Sequence, residues 1–167
     1  FSPLVIEYLL AHPKPCAAGA DCNDNGVLDD CETEVVFSSH TVSEAVGGAH
    51  SVFAADIDGD GDADALCASA GDATLAWYEN TDGQGTFGPR EVITDLALGA
   101  AAVFSADLDG DDDLDVLSAS SDDDTIAWYE NTDGQGTFGP QEVITSAADG
   151  AWSVFAADLD GDEDLDV

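Results

Sequence analysis

Aspartate is the residue type best placed to do chemistry in this chain, and its spacing is what carries the information. Asp56, Asp58, Asp60 and Asp64 stand at positions 1, 3, 5 and 9 of a short loop, with Asp62 at position 7 placed to offer its backbone carbonyl. Those oxygens plus water meet the six to eight ligands that Ca²⁺ takes in flexible geometry, whereas Mg²⁺ demands a stricter octahedron. Gly59 and Gly61 let the chain curl around an ion. The same set returns as Asp107, Asp109, Asp111, Asp113 and Asp115, and again as Asp158, Asp160, Asp162, Asp164 and Asp166. Asp62, Asp112, Asp113, Glu163 and Asp164 are expected to point outward or to serve through their carbonyls. A solvated acidic turn is the plainer reading of any one loop, but three copies in register favour a cation.

A fourth candidate precedes these loops. Asp21-Cys22-Asn23-Asp24-Asn25-Gly26-Val27-Leu28-Asp29-Asp30-Cys31-Glu32 fits the spacing of an EF-hand loop, with Gly26 at the turn and Glu32 at the bidentate end. Pro13 and Pro15 forbid a regular helix leading into it, so a full EF-hand is not expected. A turn held by disulfides alone is the plainer alternative.

The elements that must hold the loops repeat with them. Val52-Phe53-Ala54-Ala55-Asp56 returns with a spacing of 51 residues at Val103 and again at Val154, and Ala76 through Pro89 matches Ala127 through Pro140 residue for residue. In the middle unit four apolar runs read as strands, at 102–106, 115–119, 125–130 and 141–145. Thr132-Asp133-Gly134-Gln135-Gly136 is a turn signal between the last two. No stretch holds an apolar period of 3.6, so helices should be few. Four antiparallel strands per repeat of about 50 residues is the pattern of a propeller blade. The predicted fold is all-β, with two full blades and a partial third.

Charge restricts the partners. Thirty-seven acidic residues face only Lys14 and Arg90, for a formal charge of −35. Repulsion on that scale opposes a compact state unless cations neutralise it. Nucleic acid and anionic membrane surfaces need a basic footprint, so both are excluded as direct partners. No run reaches the ~18 apolar residues of a membrane helix, which excludes direct insertion. The apolar opening 1–10 lacks a basic n-region and reads as a processed start.

Cys16, Cys22, Cys31 and Cys67 point to disulfides and an oxidising compartment. Pairing Cys22 with Cys31 is preferred, which leaves Cys16 to reach Cys67. Other pairings stay open, as does a buried free Cys67, because the next unit has Ser118 at that position. Trp77 and Trp128 occupy equivalent repeat positions and read as core between blades rather than as a stacking platform. His12, His40 and His50 do not recur, and no spacing suggests zinc. Nearly every carboxylate cluster is repeated and already assigned to metal, so no acid, base or nucleophile stands apart and catalysis is not expected.

Asp-x-Asp-Gly-Asp-x-Asp-x-Asp, then Trp-Tyr-Glu-Asn, then Gly-Thr-Phe-Gly-Pro, in that order, resembles the FG-GAP/VCBS repeat family, the calcium-bearing blades of integrin-α propellers among them. The resemblance covers residues 35 to 167. It implies propeller blades with one Ca²⁺ between the first two strands of each, in relatives that are adhesive, surface-exposed or appended to secreted enzymes. The loop at 16–34 resembles a dockerin or thrombospondin type 3 calcium loop, in which Asp21, Asn23, Asn25, Asp29 and Glu32 would bind by side chain and Val27 by its carbonyl.

The domains expected are an apolar segment at 1–15, a Cys-rich loop at 16–34 and repeats at 35–167. The function expected is extracellular, calcium-binding and structural or adhesive, with head-to-tail self-association into a fibre. In that scheme the strand-forming segment Pro3–Leu10 adds to an incomplete blade of another copy. A module that docks a glycan or a surface protein is the alternative.

Overall fold

A computed structural model describes residues 4–11, 35–44, 46–162 and 164–167. Among them every regular element is a strand. β1 (Leu4–Ala11) and β2 (Val35–Ser43) form a two-stranded sheet of their own. Residues Leu4–Ala11 are therefore extended, with a partner strand in the same chain.

The repeats build two antiparallel four-stranded sheets. The first runs β3 (Ala49–Ala55), β4 (Asp64–Ser69), β5 (Thr74–Tyr78) and β6 (Glu91–Thr94), each strand beside its sequence neighbour. The second repeats that order with β7 (Ala100–Ala106), β8 (Asp115–Ser120), β9 (Thr125–Tyr129) and β10 (Glu142–Thr145). This is the propeller-type blade expected from the sequence, and the register is copied along with it. Phe53 lies opposite Leu66 and Ala55 opposite Asp64, as Phe104 lies opposite Leu117 and Ala106 opposite Asp115.

Residue type explains the position of each strand. β4 and β8 are buried along their whole length and contain only small or apolar residues after the leading aspartate, because both their faces are covered. β6 and β10 share the sequence Glu-Val-Ile-Thr, are mostly exposed and bear a bulge, as suits short edge strands.

The two blades share one core. Ile57, Leu66, Leu75 and Trp77 of the first pack with Val103, Val116, Ala127 and Tyr129 of the second. Phe53, Phe104 and Phe155 form a ladder along the innermost strands, with ring centroids 5.0 and 4.8 Å apart, within the range where aromatic pairs attract.

The third unit, which repeats the first-strand sequence from Val154, forms no strand among the described residues. It has a single antiparallel bridge, Ala157 to Asp166, closed by reciprocal hydrogen bonds of 3.0 and 2.9 Å. Trp152, Phe155 and Leu159 are left exposed.

Candidate metal centre

The first two aspartate loops are hairpins between the first two strands of their units, and the third is closed by the Ala157–Asp166 bridge, so the first and ninth residues of each are held at paired backbone. The ninth is the anchor. Asp64 opens β4 almost fully buried and accepts hydrogen bonds from the Ile57 and Asn80 backbone N–H groups at 2.9 and 2.8 Å. Asp115 opens β8 and accepts from Leu108 and Asn131 at 3.0 and 2.8 Å. In the third loop Asp166 is exposed and accepts from Leu159 at 3.0 Å.

Around these anchors the carboxylates converge. One oxygen each from Asp56, Asp58 and Asp64 lies within 4.8 Å of the others, and so do those of Asp107, Asp109 and Asp115, and of Asp158, Asp160 and Asp166. Ligands bound at 2.3–2.6 Å on one Ca²⁺ are separated by at most about 5 Å, so the spacing suits a shared ion. Positions 1, 3 and 9 of the sequence-based ligand set are therefore brought together in all three loops.

Position 5 behaves differently. Asp60, Asp111 and Asp162 each accept the N–H of the residue two further on, Asp62, Asp113 and Asp164, at 2.9, 2.9 and 3.1 Å. Asp60 also gathers with Asp58 and Glu79. Glu79 was not foreseen, since it lies on the strand β5 side of the blade and its approach to the loop depends on pairing across the sheet. At position 7, Asp62 and Asp113 press their carboxylates against Gly83 and Gly134, where a Cβ would collide with them. Both glycines have φ of +61°, so bulk and backbone both demand glycine there.

Crowding shapes the electrostatics. Burial raises the carboxyl pKa of Asp58, and the neighbouring Asp60 and Asp56 charges add to it. Burial likewise raises Asp64 and Asp115, against the lowering effect of their backbone hydrogen bonds. Asp109 is raised by desolvation and then by Asp111. The ionised form is thus disfavoured where several carboxylates must be ionised together, and a bound cation reverses that balance. Asp56 supplies an independent fit. Its Oδ2 accepts the Gly61 N–H at 3.1 Å, while its Oδ1 is buried with no hydrogen-bond partner. A buried carboxylate oxygen without a donor is costly, and a Ca²⁺ shared with Asp58 and Asp64 would satisfy it.

The remaining sequence-based residues divide into two groups. Asp21, Asn23, Asn25, Val27, Asp29 and Glu32, with Cys16, Cys22 and Cys31, lie outside the described residues. Cys67 is a free thiol buried in the central strand β4, so the tentative bridge to Cys16 is not formed. Its surroundings explain this: packed on both faces, the thiol is desolvated, its pKa is raised, and it behaves as a small apolar side chain. Trp77 is in the core between the blades, as expected. Trp128 is half-buried and lines a groove of about 140 Å³ with Leu108, Ile144, Leu165 and Val167.

Comparison with known proteins agrees with this architecture. The profile of the FG-GAP-like repeat matches twice, over residues 56–118 and 107–167. Each match opens on the first aspartate of a loop, and the first runs through the four strands' worth of chain that follows into the next loop. No curated protein matches the chain. The two profile matches together span well over half of the sequence, and the chain belongs to the FG-GAP-like repeat family.

Proposed function

We propose that this is an extracellular calcium-binding repeat protein with a structural or adhesive role, built without a catalytic centre. The observation that carries the reading is the buried, partnerless Oδ1 of Asp56 beside two converging carboxylates. It marks a buried carboxylate oxygen that the chain's own donors leave unsatisfied, and a hard cation is the matching ligand. Loop 1 would hold the ion through Asp56, Asp58 and Asp64, loop 2 through Asp107, Asp109 and Asp115, and loop 3 through Asp158, Asp160 and Asp166. The bound ion neutralises charge and ties together the two strand ends of each hairpin. Family membership and the Cys-rich opening support an extracellular setting.

Self-association is the second half of the proposal. Trp152, Phe155 and Leu159 are exposed, Phe155 extends the ring ladder of Phe53 and Phe104, and Leu165 and Val167 line the groove beside Trp128; a second copy is the occupant we assign to these apolar groups, which prolong the blade-to-blade packing. Among the described residues a two-stranded sheet leaves β1 one unpaired edge, which is the edge we assign to strand addition to that copy. Sedimentation velocity in millimolar Ca²⁺ and in EDTA tests this. A calcium-dependent rise in mass that Phe155→Ser and Trp152→Ser abolish is expected. A chain that stays monomeric at high concentration with calcium present contradicts it.

A further inference from the structure

We propose that Asn131 is a latch that couples the first two aspartate loops, so that the state of one is felt by the other. The proposal rests on the calcium reading for its ligand but on hydrogen bonds for its geometry. Asn131 is fully buried. Its backbone N–H donates to Asp115, the anchor of loop 2, at 2.8 Å. Its side-chain Nδ2 donates across the blade boundary to the carbonyl of Ile57 at 2.9 Å and, within its own blade, to Leu114 at 3.3 Å. Its Oδ1 accepts the Gly136 N–H at 3.1 Å.

Ile57 is the second residue of loop 1, and its own N–H donates to the anchor Asp64. A continuous path therefore runs from Asp64 through the Ile57 backbone and the Asn131 amide to Asp115. The hairpin that Asn131 begins is seated on loop 1 by shape as well. Gly136 lies so close to Trp77 that a Cβ would collide with the indole, and an ideal Cβ on Gly59 would come within 3.5 Å of the Gly134 carbonyl oxygen.

Asn80 is the control provided by the repeat. It sits 51 residues earlier, donates its N–H to Asp64 at 2.8 Å, and accepts the Gly85 N–H at 2.9 Å. Its Nδ2 reaches Ala63 within its own blade, at 3.2 Å, with no cross-blade bond of the Asn131 kind among the described residues. Two asparagines with the same sequence context thus differ in one hydrogen bond, and that bond joins two loops. Coupling of this kind is reciprocal: whatever fixes the Ile57 carbonyl preorganises Asn131 and through it Asp115, and the reverse holds.

The test follows the amide signals of Gly59, Gly110 and Gly161 during a Ca²⁺ titration, since each glycine belongs to one loop. In the unmodified chain Gly59 and Gly110 should respond in a single transition. Asn131→Ala should raise the Gly59 midpoint about fivefold, the worth of one net hydrogen bond, and separate the two transitions. Asn80→Ala should leave the Gly110 midpoint in place, and Gly161 should be indifferent to both. Where the alanine variant does not fold, Asn131→Ser keeps an acceptor near Gly136 and falls short of Ile57. A Gly59 midpoint unchanged in a folded Asn131 variant overturns the latch. If calcium moves none of the three glycines, the cation reading has failed. The latch is then judged in the metal-free chain, where the Ile57 amide should exchange with solvent several-fold faster in Asn131→Ala, and unaltered exchange overturns it.

Discussion

The first and third aspartate loops share their ligand residues and differ in what surrounds them. In loop 1 the second residue, Ile57, is 1% exposed, and in loop 3 its equivalent, Leu159, is 78% exposed. Loop 1 is held by the hairpin of its own blade through Asn80 and by the hairpin of the next through Asn131. Among the described residues loop 2 is held by its own hairpin alone, and Leu108 at its second position borders the open groove. Among them loop 3 has neither hairpin; its ninth-position carboxylate is exposed and receives one backbone hydrogen bond. A ligand set written in sequence is thus the same three times, while the rigidity that holds it declines stepwise. Affinity for a cation depends on ligand charge and on site rigidity together, so calcium should fill the coupled loops 1 and 2 together and ahead of loop 3.

Removing calcium should blur that gradient most. A ligand bound only by the native form stabilises it by about 1.4 kcal/mol per site at ten times Kd, hence about 4 kcal/mol for three loops. Scanning calorimetry in EDTA should show a melting temperature lower by about 10 °C than in calcium. Trp77 and Trp128 extend the comparison to the blade faces. Trp77→Ala should cost about 3–5 kcal/mol as a buried aromatic deletion, and Trp128→Ala about half that, because one side of its ring faces the groove. Equal costs in urea unfolding would mean that the two blade faces are packed alike.

Backbone strain separates loops 1 and 2 on a finer scale. Gly61 has φ of +96°, and the equivalent Asp112 has φ of +74°, a region that suits glycine better than aspartate. Asp112→Gly should raise stability by about 0.5–1 kcal/mol and Gly61→Asp should lower it by at least as much, read from urea midpoints. The smallest effect concerns the one cation of the first blade. Arg90 pairs with Asp72 at 3.1 Å. At the equivalent position Gln141 donates to the Tyr129 hydroxyl instead, and the Oδ1 of Asp123, the counterpart of Asp72, is buried without a partner. Gln141→Arg should add less than about 1 kcal/mol, the usual limit for a partly exposed pair, and no gain would show that the two blades differ locally at this site.

Much of this was legible in the sequence because the repeat made it so. The strands expected at 102–106, 115–119, 125–130 and 141–145 coincide with β7–β10 to within two residues at each end. Loop positions 1, 3 and 9 converge because the ends of the paired segments fix them. Position 5 also caps a turn, and an aspartate that caps a turn and one that binds a cation share the same spacing. Glu79 and Asn131 escaped notice for a different reason. Both stand in the Trp-Tyr-Glu-Asn signature, but the partner of Asn131 lies 74 residues away in the preceding blade, and no local pattern reports a contact through space. Cys67 was open to two readings because a lone cysteine in a strand has the same composition whether bridged or buried.

Counting bound ions by native mass spectrometry tests the central claim most directly. In excess calcium the chain should carry at least three Ca²⁺. Asp58→Ala, Asp109→Ala and Asp160→Ala should each carry one fewer, and loop 3 should be the first to empty as calcium is lowered. A chain that binds no calcium, or single variants that retain the full count, would contradict the assignment of the aspartate loops as metal sites.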